Sequence, residues 1–358
     1  MVFFVNMEGN LVVLFHGPDV FDKGYAAELV RMIPGASYYQ AGTMGRTAAH
    51  DNGLDDIISI PDLPGKVVAR SKGIRSLIIA ICPRSKESGK SFVKIIKENS
   101  GISVPLMHID FSSGSFVVWQ GTFPEGIISN IKGLGIKEDS PLESIERFSQ
   151  DGGSVTRNLR DCMVGDFVLC RNILIGRATD TDVAITVMGG RIVGTKGISI
   201  KKHGIEKLEK MGPLDINTAK CCATSNLRPG DVKPRVEDTM GRGVVFINHA
   251  GSEVYELSEG CEGAVVVGDD TSRIVGDILF RFNIPVIAIT DGDRDGLIKQ
   301  ERFTQDSVLF EVDHDDEVGN HLFNKLFNKK ERIDLPYEQV KSMVSSMISE
   351  RVKDFRSF

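Results

Sequence analysis

Residues 284–296 read Ile-Pro-Val-Ile-Ala-Ile-Thr-Asp-Gly-Asp-Arg-Asp-Gly: an apolar, β-branched run that stops abruptly in Asp291, Asp293 and Asp295. A strand that is apolar at both odd and even positions must be covered on both faces. That is the condition of an inner strand in a parallel sheet flanked by helices. Residues 263–267, Gly-Ala-Val-Val-Val, form a second run of this kind. Between the two runs, Ile274, Ile278, Leu279 and Phe282 fall at helical spacing. A strand–helix–strand unit with a right-handed crossover brings both strand tips to one edge of the sheet. Gly268-Asp269-Asp270-Thr271 follows the first tip and Asp291-Gly292-Asp293-Arg294-Asp295-Gly296 the second. Ligands of open α/β sheets gather at that edge.

Carboxylates crowded at one edge repel one another unless a cation lies between them. Oxygen donors at this spacing suit a hard ion, Mg²⁺ first, with Mn²⁺ or Ca²⁺ as alternatives. The candidate metal ligands are Asp291, Asp293, Asp295, Asp269 and Asp270. Thr271 and Ser272 open the intervening helix, where free backbone N–H groups favour a phosphate. Arg273 and Arg294 supply guanidinium groups for its oxygens. Helix capping and turn formation compete for the same residues, and account for one or two acids more readily than for five. The loop also matches the opening of an EF-hand, with Ile298 at the apolar eighth position. The twelfth position is Arg302 instead of glutamate, and a strand, not a helix, precedes the loop. The acids of Asp313-His314-Asp315-Asp316-Glu317 suit the start of the next helix and offer further metal ligands.

A second candidate is the glycine-rich turn Gly42-Thr43-Met44-Gly45-Arg46-Thr47-Ala48. Glycines let backbone approach a ligand, and the helix that follows favours an anion. The Lys-Ser/Thr pair of a Walker A loop is missing, so Gly42, Thr43, Gly45, Arg46 and Thr47 are expected to bind phosphate in another way, or to form a plain strand-to-helix turn. His16 and Asp19, in a Gly-Pro turn after the first strand, belong to the same kind of cleft. His203 is a candidate acid or base, although a surface or capping role fits it better.

Strands alternate with helices over residues 1–135, and a mostly parallel α/β domain is expected there. Residues 136–234 read as a small β-rich domain, with strands at 166–171, 182–188 and 191–195 and a Gly189-Gly190 hairpin turn. Helical patterns follow at 198–211 and 217–222. A second Rossmann-like α/β domain is expected over 235–358, closing with helices at 316–327 and 336–355. Those last helices suit either packing on the sheet or a homo-oligomer contact.

The chain has 358 residues, a net charge of −6, 41% hydrophobic and 26% charged residues. The negative balance argues against bulk nucleic-acid binding. The longest apolar runs fall far short of the roughly 20 residues that span a bilayer. No basic region precedes the apolar N-terminus, so no secretory signal is expected. The cysteines, Cys82, Cys162, Cys170, Cys221, Cys222 and Cys261, show no Cys-x-x-Cys spacing. Adjacent Cys221 and Cys222 are poorly placed to pair with each other. Reduced, mostly buried thiols in a cytoplasmic protein are the expectation.

The motif around Asp291 and Asp293 resembles the Toprim domain of primases and topoisomerases. That likeness implies that these two aspartates hold Mg²⁺. The glutamate that the domain carries after an earlier strand has no counterpart, since Asn248-His249-Ala250 stands there with Glu253 nearby. Taken whole, the chain is identified as a member of an uncharacterised archaeal family found mainly in methanogens. The carrying segments are His16-Gly17-Pro18-Asp19 with Asp22 and Gly24, Gly42 to Ala48, Gly176-Arg177-Ala178-Thr179, His203 to Leu208, Gly268 to Thr271, and Asp291-Gly292-Asp293. The resemblance implies an anaerobic archaeal cytoplasm and no particular activity. The expected function is a Mg²⁺-dependent enzyme acting on a nucleotide or other phosphorylated small molecule. The alternatives are a non-catalytic metal- or nucleotide-binding regulator and an accessory protein in methanogen cofactor or enzyme assembly.

Overall fold

The computed structural model describes residues 7–144, 147–171, 173–224, 228, 232–248, 250–292 and 301–358. It is an α/β protein. Strands β1 (Val12–His16), β2 (Ser37–Ala41), β3 (Ile58–Ile60), β4 (Leu77–Ile81), β5 (Leu106–Asp110), β6 (Ser115–Gln120) and β7 (Lys137–Asp139) form one sheet in the order β3-β2-β1-β4-β5-β6-β7. The pairs β1–β4, β4–β5 and β6–β7 are parallel, and β5–β6 is antiparallel. Helices α1 (Asp19–Asp22), α2 (Tyr25–Met32), α3 (Thr43–Asp51), α4 (Pro64–Arg70), α5 (Lys86–Ser100) and α6 (Glu125–Gly133) connect these strands. Every residue of β4 and β5 is buried, as expected of parallel strands covered on both faces.

By contact density the chain divides into two compact units, Met1–Gln40 with Asp62–Pro229, and Ala41–Pro61 with Gly230–Phe358. The first unit includes the β-rich stretch. There β8 (Phe148–Asp151), β9 (Ser154–Leu159), β10 (Phe167–Cys170), β11 (Ile173–Ala178), β12 (Val183–Met188), β13 (Arg191–Lys196), β14 (Ile198–Ile200) and β15 (Cys221–Thr224) form two four-stranded antiparallel sheets. Their orders are β14-β11-β10-β15 and β13-β12-β9-β8. Val168, Cys170 and Ile175 of one sheet share a core with Leu159, Val183 and Ile185 of the other. Helix α7 (Lys202–Lys210) adds Leu208 to that core. Gly189 and Gly190 take φ of +57° and +78° between β12 and β13, the left-handed pair that a two-residue hairpin needs.

In the second unit, β16 (Val244–Asn248), β17 (Gly263–Val267), β18 (Val286–Thr290) and β19 (Val308–Val312) are parallel neighbours in chain order. Short β20 (Arg332–Ile333) and β21 (Val352–Ser357) close the two edges antiparallel. Side chains alternate across a strand, and here the alternation builds two cores. Phe246, Val265, Val267, Ile287, Ile289 and Phe310 face Leu322 of α10 (Asp315–Lys325) and Val340 and Val344 of α11 (Tyr337–Ile348). Val245, Ile247, Val266, Val286, Ala288 and Leu309 face Val254 of α8 (Val254–Leu257) and Val275, Ile278 and Leu279 of α9 (Asp269–Leu279).

Three local expectations are corrected. Residues 336–355 are not one helix: α11 ends at Ile348 and the chain continues as β21. Val344, Ile348, Val352 and Phe355 keep a near-helical spacing, but the open edge of β19 offers a ladder of hydrogen bonds to this segment. Residues 217–222 are not a helix, because Cys221 and Cys222 pair with β10. Residues 198–211 split at Lys201 into β14 and α7.

Candidate metal centre

The second unit's parallel strands carry acids to one edge by register alone. Chain leaves β17 into Asp269, β18 into Asp291, and β19 through Asp313 and His314 into Asp315. Asp269, Asp291 and Asp315 each offer a carboxylate oxygen, and the three atoms lie within 4.8 Å of one another. Asp269 and Asp315 are the first residues of α9 and α10, where the positive end of the helix dipole favours an anion. Asp315 is 3% exposed. The Asp269 carboxylate also accepts the backbone N–H groups of Asp291 and Gly292 at 3.1 and 3.2 Å. Gly292 takes φ of +85°, and a β-carbon there would stand 3.0 Å from a Glu311 carboxylate oxygen. The tip of β18 therefore requires glycine for its backbone conformation, while the Glu311 carboxylate, at the end of a flexible side chain, stands close beside it.

Despite the dipole and two backbone donors, the Asp269 carboxyl is pushed up to about 7. Burial is the largest cause, followed by the hydrogen bond it shares with Asp291 and by the charges of Asp291 and Asp315. Burial and the neighbouring carboxylates together favour the protonated, uncharged form of Asp269. Glu311, paired with Thr290 across β18 and β19, adds a further acid beside Gly292.

A second set, His50, Asp55 and Glu237, has comparable spacing but a different balance. Arg235 donates to His50 Nδ1 at 3.1 Å, pairs with Asp55, and reaches Glu237 at 3.1 Å. A guanidinium already supplies the positive charge there. The metal reading therefore belongs to the Asp269 cluster.

The residues singled out in the sequence are distributed as follows. Asp269 and Asp291 come together. Asp293, Arg294 and Asp295 lie outside the described residues, as do Ile298 and His249. Asp270, Thr271 and Ser272 occupy the first turn of α9, with Ser272 fully buried. Arg273 reaches Glu301 at 3.9 Å. Gly42 precedes α3 with φ of +102°, but the polar side chains of that turn are engaged within the second unit. Thr43 donates to the Ser252 carbonyl at 2.8 Å, and Arg46 pairs with Glu256 at 3.1 Å while lying 4.1 Å over the Tyr255 ring. The Thr47 hydroxyl is 2.9 Å from that of Tyr255, and Gly45 is buried in the same helix as Thr47. In the first unit, the His16 ring stacks on Phe92 at 5.0 Å, and Asp19 pairs with Lys23, whose ammonium also reaches Cys82. His203 lies on α7, 3.7 Å from Glu206.

Two features escaped sequence reasoning. Glu311 interrupts the apolar run Val-Leu-Phe-Glu-Val, which was its only signal. Asp51 and Arg281, both with side chains 1% exposed, form a two-pronged ion pair that Asp277 and Arg302 extend. Nothing local to Phe-Arg-Phe at 280–282 marks its arginine as buried.

The fold and this edge define an α/β protein with a carboxylate cluster at the carboxyl ends of a parallel sheet, and no helix among the described residues is long and apolar enough to cross a membrane. The chain belongs to the family described as uncharacterized protein conserved in archaea (DUF2117), which it matches over residues 13–330. It is 32% identical over 337 residues to the uncharacterized protein MJ0065 of Methanocaldococcus jannaschii, covering 89% of this chain and 92% of that protein.

Proposed function

We propose that Asp269, Asp291 and Asp315 bind a divalent cation, Mg²⁺ first, and that the site acts on a nucleotide or another phosphorylated small molecule by phosphoryl transfer or hydrolysis. The observation that carries the reading is the convergence of three carboxylates on one sheet edge, with Asp269 held near neutrality. A cation bound there neutralises charge that develops on a phosphoryl group. Asp291 and Asp315 hold their oxygens in place from separate elements, so the ligand set is fixed by the sheet and not by one loop. Asp269, poised near pH 7, is suited to hold or release a proton during turnover. The first turn of α9 contributes backbone N–H groups near the same acids, which favours a phosphate.

The test is thermal unfolding with Mg²⁺, Mn²⁺ or Ca²⁺, each with and without a nucleotide panel, alongside assays of phosphate release. A ligand that binds only the folded protein at a hundredfold excess over Kd stabilises it by about 2.7 kcal/mol. The expected result is a cation-dependent rise in melting temperature, enhanced by one nucleotide and abolished in Asp291→Asn. Saturable binding without turnover would move the reading to a cation-dependent regulator. An unchanged melting temperature with every cation would reduce the acids to turn and cap residues.

A further inference from the structure

Cys170 and Cys221 face each other across the antiparallel pair β10–β15. Their sulfurs are 3.3 Å apart. The next cross-strand pair, Arg171 and Lys220, is a hydrogen-bonded one, since the Arg171 N–H donates to the Lys220 carbonyl at 2.8 Å. Hydrogen-bonded and non-hydrogen-bonded pairs alternate along an antiparallel ladder. Cys170 and Cys221 therefore occupy a non-hydrogen-bonded pair, where Cα atoms lie about 4.5 Å apart and side chains are closest. That spacing is inside the range of roughly 4.4–6.8 Å that a disulfide bridges. Both cysteines are reduced in this structure.

The surroundings treat the two thiols differently. Cys170 is fully buried, and Cys221 is half-buried. The Cys221 thiol donates to Cys170, which lowers the Cys170 pKa and raises that of Cys221. Arg157 and Arg171 add positive charge that favours a Cys170 thiolate. Both arginines are fixed by backbone carbonyls, Arg157 by Ile216 and Ala219, and Arg171 by Gly212 and Pro213. The segment between α7 and β15 is thereby tied to β9 and β10.

We propose that Cys170 and Cys221 form a reversible thiol–disulfide pair that exchanges with low-molecular-weight disulfides. In the first step the accessible Cys221 thiol passes its proton by way of Cys170 to the departing RS⁻ as its sulfur attacks a disulfide RS–SR, leaving a Cys221 mixed disulfide, one RSH and the Cys170 thiolate. In the second step the Cys170 thiolate attacks the Cys221 sulfur, forming the Cys170–Cys221 bond and releasing the second RS⁻. The two protons lost by the thiols are taken up by the two RS⁻ groups. The protein dithiol is oxidised by two electrons and RS–SR is reduced to two RSH. A dithiol reductant reverses both steps. The closed bond clamps β15 to β10 and joins the ends of the segment that carries β11 to β14 and α7. Cys162 lies in the same core but is 3% exposed, so an incoming disulfide does not reach it as it reaches half-buried Cys221. Cys222 is exposed and is the built-in control, because its strand alternation turns it away from Cys170.

The experiment is to equilibrate the full chain with oxidised glutathione, block remaining thiols by alkylation, and map disulfides by mass spectrometry without reduction. The expected result is a Cys170–Cys221 peptide, lost on adding dithiothreitol and retained in Cys222→Ser, with a higher melting temperature for the oxidised form. In Cys170→Ser the expected product is a glutathione adduct that stays on Cys221. The proposal is overturned if Cys222 is capped by glutathione while no Cys170–Cys221 peptide forms. A Cys221–Cys222 or Cys170–Cys222 bond in its place would overturn it equally. The mapping of the wild-type protein decides the matter even where a variant folds poorly.

Discussion

Asp269 shows how one residue can weaken a fold and prepare a site at once. Its carboxyl sits at about 7 in the folded protein against an ordinary 3.8. Between those values the folded state holds a proton that the unfolded state has lost. Its contribution to stability is therefore full below about pH 4 and is lost as pH rises through about 7. Replacing Asp269 by asparagine removes the charge but keeps a carbonyl for the Asp291 and Gly292 N–H groups. Without added cation at pH 8, Asp269→Asn should be more stable than wild type, on the order of 1 kcal/mol once solvent screening is allowed for. The gap should close by pH 4. Urea denaturation at the two pH values reads this directly, and a variant less stable than wild type at pH 8 would contradict it. The same proton opposes a cation. Affinity for Mn²⁺ should rise with pH by up to about tenfold per unit below 7 and then level off. Calorimetric titration between pH 5.5 and 8.5 tests that slope, and a flat profile would mean that Asp269 is not a ligand.

At the scale of elements, what was legible in the sequence follows from burial. The runs ending at Val267 and Thr290 are buried on both faces, so continuous apolar stretches identified β17 and β18, and helical spacing identified the helix between them. The same register placed Asp269 and Asp291 at one edge. Asp315 was visible only as one acid in a helix-starting cluster, because nothing along the chain says that β19 lies beside β18. The edge strands were not legible: β21 reads Val-Lys-Asp-Phe-Arg-Ser, and its charged positions, which protect an open edge, break the apolar pattern. The pairing that made β15 a strand is likewise set by β10, some 50 residues earlier in the chain. Long-range charge was the least visible feature. Arg281 reaches Asp51 on α3 and Asp277 on α9, and Arg302 closes the set. Removing one member strands the others in low dielectric, at a cost of roughly 3–5 kcal/mol. Arg281→Met, which leaves Asp51 and Asp277 facing each other, should destabilise the second unit by about that much. Arg302→Met, at a more exposed arginine, should cost less. Equal losses in chemical denaturation would show that the buried network does not distinguish them.

On the scale of the whole molecule, the two units should respond to acid in opposite directions. His108, on β5 of the first unit, is fully buried and accepts the Trp119 indole N–H at 2.8 Å. Burial lowers it from 6.5 to about 4, against the opposing pull of Asp110 and Asp139. In this window the unfolded state takes up a proton that the folded state refuses, so stability is present above about 6.5 and drains away as pH falls towards 4. The full loss is on the order of 2–3 kcal/mol. Asp269, in the second unit, contributes the opposite slope over an overlapping range. A single global melting curve would mix the two effects, but the chain has one tryptophan, and it lies beside His108. Urea unfolding followed by Trp119 fluorescence should lose stability between pH 6.5 and 4. Hydrogen exchange at β17 and β18 should show protection that holds or rises over the same interval. His108→Gln, whose side-chain carbonyl can accept the indole N–H, should flatten the fluorescence-detected slope and leave the exchange profile of β17 and β18 unchanged. If both probes fell together in wild type, the units would unfold as one cooperative body, and His108 would set the acid limit of the entire chain.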